Sequence, residues 1–158
     1  MQGDPTVIQH LNAVLKNELT AINQYFLHSR MLRHWGVTKL GDYEYKESVD
    51  EMKHADRLIN RILFLDGLPN LQDLNKLLVG ENVQELLECD LKLEQAAMPR
   101  LREAIAYCET VKDFISRELF EAILESEEEH VDFLETQLGL IPKIGIENYI
   151  QLQSEAAE

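Results

Sequence analysis

The sequence predicts an all-α fold: a four-helix bundle with one long crossover and a short C-terminal fifth helix. Two observations lead there. Apolar residues recur at three- and four-residue spacing through four long stretches, separated by capping residues, Gly and Pro. The chain also repeats itself at an offset of 76 residues, with Glu18 returning as Glu94 and Glu51-Met52-Lys53-His54 as Glu127-Glu128-Glu129-His130. Leu11/Leu87, Leu15/Leu91, Lys16/Lys92, Ala21/Ala97, Asp56/Asp132 and Leu58/Leu134 keep the same offset. The chain therefore reads as two related helical hairpins, each giving one lone Glu and one Glu-x-x-His.

The first helix starts at Asp4-Pro5, a capping Asp followed by Pro where a helix tolerates it best. Its inward face is Leu11, Val14, Leu15, Glu18, Ile22, Tyr25 and Leu32, and it stops near His34-Trp35-Gly36. A second helix runs to about Asp66, where Gly67-Leu68-Pro69 ends it, with the stripe Ser48, Glu51, Ala55, Leu58, Ile62 and Leu65. Residues 67–81 carry no sustained period. At up to ~3.3 Å per residue they can span ~50 Å, enough to return along a helix and start the next hairpin parallel to the first.

Asn82, with Glu85 three residues on, opens the third helix, whose stripe is Leu87, Leu91, Glu94, Met98, Leu101 and Ile105. Pro99 inside it should produce a kink. Thr110 with Asp113 is expected to open the fourth, with the stripe Phe120, Leu124, Glu127, Val131, Leu134 and Leu138, and Gly139 to end it. The apolar tail from Ile144 to Leu152 has no place in a four-fold core and is expected to pack on other subunits.

At 158 residues the chain is long enough for one domain, 1–158, with a substantial core. A net charge of −14 argues against a nucleic-acid partner and is compatible with cation handling or simply with solubility. Cys89 and Cys108 form no CxxC and are expected to be reduced thiols. The N-terminus does not read as a signal peptide and no apolar run reaches membrane-spanning length, so the expectation is a cytoplasmic protein without a membrane partner.

Glu18, Glu51, Glu94 and Glu127 stand where the stripes call for apolar residues. One unpaired buried carboxylate costs several kcal/mol, so four of them require compensation. No Lys or Arg lies nearby on those stripes, whereas His54 and His130 each follow a Glu by three residues. Four carboxylates and two imidazoles suit two divalent ions, iron or manganese in preference to structural zinc. Met52 lies about 100° round the helix from Glu51, on a second stripe with Tyr45, Val49, Ile59 and Leu63, extended by Leu19, Asn23 and Phe26 of the first helix. A second apolar stripe on a bundle helix implies a partner, most simply a second copy in a two-fold dimer.

These residues resemble bacterioferritin, the haem-containing branch of the ferritins. The likeness includes Asn17-Glu18-Leu19, the run from Ala21 to His28, the run from Asp50 to Asp56, and the run from Ile62 to Gln72. It implies a ferritin-like bundle assembled as a hollow 24-subunit shell built of two-fold dimers. The shell would oxidise Fe(II) with oxygen or peroxide and store it as ferric mineral. Position by position, Glu18, Glu51 and His54 would hold one iron, Glu94, Glu127 and His130 the other, with Glu51 and Glu127 bridging. Met52 from each of two subunits would ligate one haem b, through which a small ferredoxin could reduce the stored iron. Tyr25 would stand beside the di-iron site as a one-electron donor, and Asp50 would face the cavity as an inner-surface iron site.

Three positions depart from that pattern. Lys46 stands where relatives often carry His, and four residues before Asp50 it is placed to pair with it. Phe133 and Leu58 stand where more readily oxidised aromatic residues occur. The competing readings are a rubrerythrin-like peroxidase, a manganese catalase, or a haem electron carrier using Met52. The first normally brings a CxxC site, which this sequence does not contain, and the last leaves four inward glutamates without a purpose.

Overall fold

The computed structural model describes residues 1–154 as five helices: α1 Pro5–His34, α2 Thr38–Phe64, α3 Val83–Val111, α4 Phe114–Ile144 and α5 Ile146–Leu152. Asp4 caps α1, its carboxylate accepting from the backbone N–H groups of Thr6 and Val7 at 2.8 and 3.0 Å. Asn82 caps α3 by accepting from Glu85 N–H at 2.8 Å. The turn of the second hairpin falls three residues later than expected. Thr110 belongs to the last turn of α3, Lys112 reverses the chain at φ 60°, and Asp113 caps α4 by accepting from Ser116 N–H. Asp66, also at φ 60°, rather than Gly67, takes the left-handed position after α2.

Two further expectations change. Helix α4 continues through Gly139 and Pro142 to Ile144, and Gly145 at φ 85° stops it. A helical Gly costs only about 1 kcal/mol, less than the packing of Leu140 and Ile141 beyond it against the core supplies. The tail does have a place on its own bundle, where Tyr149 of α5 is fully buried and donates to Gln137 Oε1 at 2.7 Å, while Ile146 and Leu152 of the same helix stay exposed. Backbone N–H groups of Lys39 and Leu40 reach Gln153 O, which ties α5 to the start of α2. Helix α3 runs uninterrupted past Pro99.

The core has three layers along the bundle axis. One apolar cluster joins Val7–Leu15 of α1, Ala55–Leu65 of α2, Leu101–Cys108 of α3 and Leu119–Ile123 of α4. A second joins Leu32, Leu40, Leu86, Leu87, Leu134, Ile141 and Tyr149. Between them lies a buried polar belt. Each large apolar side chain fully buried contributes roughly 1.5–3 kcal/mol, so two apolar clusters on either side can hold a belt that is costly to bury.

The crossover, 65–82, is clipped to α1 by a ladder of side chains four or eight residues apart on one helix face. Asn12 Nδ2 donates to Leu68 O and Asn12 Oδ1 accepts from Asn70 N–H; Thr20 Oγ1 accepts from Asn75 N–H, Gln24 Oε1 from Leu78 N–H and His28 Nε2 from Gly80 N–H, at 2.8–3.1 Å. A Cβ at Gly80 would stand 2.4 Å from the backbone of Leu86. Gly80→Ala should therefore lower stability by about 1–3 kcal/mol, as overpacking against an immovable neighbour does. Thermal unfolding of the assembled protein measures it, and an unchanged midpoint would contradict the close approach.

Candidate metal centre

The polar belt takes one side chain or more from each long helix. Glu18, Glu51, Glu94 and Glu127 are at most 2% exposed, and His130 is buried with them while His54 is partly exposed. Antiparallel hairpins place residues equidistant from a turn at the same depth, which sets Glu18 beside Glu51 and Glu94 beside Glu127. The six side chains form two overlapping donor sets, Glu18/Glu51/His54/Glu127 and Glu51/Glu94/Glu127/His130. Within each set the ligand atoms lie within 4.8 Å of one another. Glu51 and Glu127 belong to both.

His54 Nδ1 stands 3.5 Å from Glu18 Oε2 and from Glu51 Oε2. His130 Nδ1 stands 3.2 Å from Glu51 Oε1 and 3.6 Å from Glu94 Oε1. Glu18 Oε2, both oxygens of Glu51, Glu94 Oε2, Glu127 Oε1 and both Nδ1 atoms are buried without a hydrogen-bond partner. Orphaned buried acceptors converging on one volume are what a hard divalent cation satisfies.

The electrostatics follow from crowding. Burial pushes the Glu94 carboxyl up to about 7, against the pull of His130 and Tyr25. Burial would raise Glu51 too, but the two imidazoles flanking it outweigh this and hold it below the ordinary carboxylate range. Burial disfavours charge on His130, yet Glu47, Glu51 and Glu94 around it raise its pKa far above the usual value. Tyr25, fully buried, donates to Glu94 Oε1 at 2.6 Å, and burial followed by that carboxylate pushes its own pKa well up.

Met52 and Asp50 lie outside this cluster. Met52 is 54% exposed on an outer face shared with Phe26, Tyr45 and Leu63, and the Arg30 guanidinium sits 5.0 Å above the rings of Phe26 and Tyr45. Asp50 is half-exposed, and the cation beside it is Lys53 at 3.8 Å. The pairing with Lys46 expected from spacing is not formed among the described residues; Lys46 is exposed one turn earlier.

The structure adds buried polar residues that the sequence reading passed over. Gln24 Nε2 donates to Asp90 Oδ1 at 3.0 Å. His28 accepts from Gly80 at Nε2, so Nδ1 carries the hydrogen and donates to Asp90 Oδ1 at 2.8 Å. Glu44 is fully buried against Asp90, with neither oxygen partnered by a donor. Glu47 Oε2 forms an ion pair with His130 Nε2. The available signal was spacing: Glu44, Glu47 and Glu51 fall at three- and four-residue intervals on α2, and Asp90 lies four before Glu94.

A helical bundle with one long crossover and a central carboxylate–imidazole cluster is the ferritin-like class, and a family model described as a ferritin-like domain matches residues 8–144. A bacterioferritin of Brucella melitensis is 50% identical over 158 residues, covering 100% of this chain and 98% of the relative. A bacterioferritin of Mycolicibacterium paratuberculosis is 51% identical over 149 residues, 94% of each chain, and one of Rhodobacter capsulatus 48% over 161 aligned positions spanning 100% of both. The chain belongs to the bacterioferritin family of ferritin-like proteins. Among the described residues no helix is long and apolar enough to cross a membrane.

Glu44, which belongs to neither donor set, offers a test of the belt's electrostatics. Burial first, then the Asp90 carboxylate, push its pKa well above 4.5. The folded chain thus keeps a proton that the unfolded chain releases above that ordinary value. The stability this proton brings is complete below pH 4.5 and is lost as pH rises toward the folded value. Glu44→Gln keeps a donor for Asp90 and has nothing to titrate. With chelator present, the variant's thermal midpoint should gain on the parent's as pH goes from about 5 to 8. A gap independent of pH would show that Glu44 is ionised in the fold.

Proposed function

We propose that this protein stores iron, and that the buried cluster is a ferroxidase centre that binds two Fe(II) ions as substrate and oxidises them. The observation that carries the reading is the pair of overlapping donor sets sharing Glu51 and Glu127. Glu18 and His54 serve one ion, Glu94 and His130 the other, and the shared carboxylates bridge. Four negative charges balance two divalent ions, and the further positive charge gained on oxidation is stabilised by the same carboxylates. Each Fe(II) gives up one electron. A peroxide taking both, with two protons, leaves as two waters, and oxygen taking both with two protons leaves as hydrogen peroxide.

Tyr25, donating to Glu94 beside this centre, is placed to supply a further single electron, its phenolic proton passing to that carboxylate. Oxidised iron would pass into a closed 24-subunit shell as mineral, with Asp50 lining an inner-surface site. The outer face with Met52 would pair two subunits. An exposed thioether on an apolar, aromatic face fits a haem b held between two copies, each giving one Met52. Haem supplies one-electron transfer when bound, and a small ferredoxin is the partner that would use it. The net charge of −14 suits a protein that gathers cations.

His130→Ala or Glu127→Gln should abolish the fast oxidation of two Fe(II) per subunit, a loss of 100-fold or more, while particle size is unchanged. Anaerobic loading followed by oxidant in a stopped-flow spectrometer reads the rate, and an undiminished first phase in either variant would refute the centre. Met52→Leu is nearly volume-matched and points away from Glu51. It should remove haem absorbance and leave that first phase within about two-fold; retention of haem would show that Met52 is not its ligand.

A further inference from the structure

The two Glu-x-x-His motifs repeat in sequence, yet their histidines are not held alike. His130 lies between two carboxylate environments. Its Nδ1 faces Glu51 and Glu94, while its Nε2 is ion-paired with Glu47, a buried residue outside both donor sets. Glu47 is itself braced. Tyr43, one turn earlier on α2, stands beside it, its hydroxyl pKa raised by burial and then by the Glu47 carboxylate, and the Tyr43 ring is stacked on Phe133 of α4 with centroids 3.7 Å apart and planes 18° from parallel. Tyr43 and Glu47 on α2 thus meet Phe133 and His130 on α4 in two contacts about one turn apart.

His54 has no such support. Its Nδ1 faces Glu18 and Glu51 at 3.5 Å, and among the described residues no carboxylate pairs with its Nε2. The position that repeats Glu47 at the 76-residue offset is Ile123, fully buried in the apolar cluster. The pseudo-symmetry that supplies matching ligands therefore fails at the residue behind the imidazole.

We propose that Glu47 is a positioning residue that makes the two halves of the centre unequal, so that the His130 half binds a divalent metal first and more tightly than the His54 half. A carboxylate on Nε2–H fixes the tautomer, aims the Nδ1 lone pair at Glu51, Glu94 and Glu127, and makes that nitrogen a stronger donor. The better-held half keeps an ion between turnovers while the His54 half exchanges. The inference rests on the reading of the cluster as a two-metal centre.

The probe is Co(II) alone, titrated without oxygen into the assembled protein and followed by its visible d–d absorbance and by calorimetry. The parent should show two steps per subunit of unequal affinity. His54→Ala should weaken the weak step and His130→Ala the tight one, each by about 100-fold or more, with the carboxylates of each set still present. Glu47→Ala should weaken the tight step about 10–100-fold, the usual effect of removing a ligand's supporting partner, and leave the weak step in place.

The double variant His130→Ala/Glu47→Ala separates positioning from direct ligation. With the imidazole gone, a positioning Glu47 has nothing to act through, so its removal should change nothing more. Two equal steps in the parent, a tight step indifferent to Glu47→Ala, or further weakening in the double variant would each overturn the proposal. Co(II) uptake insensitive to both His54→Ala and His130→Ala would instead overturn the two-metal reading itself.

Discussion

The fold is arranged around charge held in the middle of a helical core. Four glutamates and His130, with Glu44, Glu47, Asp90 and His28 beyond them, lie where a bundle of this size would otherwise bury leucine, and His54 closes the layer at its edge. Each ionised, unpartnered carboxylate in such a place opposes folding by several kcal/mol. The chain answers in three ways. Glu44 and Glu94 are pushed toward keeping their protons, His130 brings a counter-charge between Glu47 and Glu51, and Asp90 is held by Gln24 and His28. None of these reaches the orphaned oxygens of Glu18 and Glu127, and those, with the Glu51 carboxylate common to both donor sets, are the atoms two cations would take up.

The 76-residue repeat explains why the centre has two similar halves, and the breaks in the repeat explain most of what is particular to this molecule. Asn12, Thr20, Gln24 and His28 hold the crossover along α1; their counterparts are Glu88, Ala96, Arg100 and Ala104. Only one of the two hairpins carries the returning chain, so only its first helix needs a polar ladder. The same logic separates Met52 from Glu128. One outer face of the bundle is apolar and aromatic and the equivalent face of the second hairpin is acidic, so the proposed two-fold partner would meet the first.

Belt and crossover are also physically coupled. Gly80 N–H binds His28 Nε2, which fixes the proton on Nδ1, which in turn donates to Asp90 one turn from Glu94. A buried backbone group of the crossover thereby helps to set the polarity of the layer next to the candidate metal centre. The three-layer core makes this affordable, since apolar clusters above and below the belt supply the cohesion that the belt itself does not.

Much of this was legible in the sequence. Periodicity placed α1 and α2 almost to the residue, and every position of the α2 stripe from Ser48 to Leu65 is buried. The six ligand candidates stood out because carboxylates on an apolar stripe contradict its period, and a repeat at constant offset raised that contradiction above chance. What the sequence left undecided was set by contacts between helices. Glu44 and Glu47 sit at the edge of the α2 stripe, where a small rotation decides between solvent and core, and only the facing Asp90 and His130 turn them inward. The end of α4 was misplaced because Gly139 and Pro142 are local stop signals, overridden by packing of Ile141 and Tyr149. Lys46 was expected on Asp50, but spacing offers Asp50 two cations and the structure gives it Lys53. A sequence determines which residues can share a face, because helical period is a local property of the chain. Which face meets which, and so which acid finds a partner, is decided by packing between segments far apart in sequence.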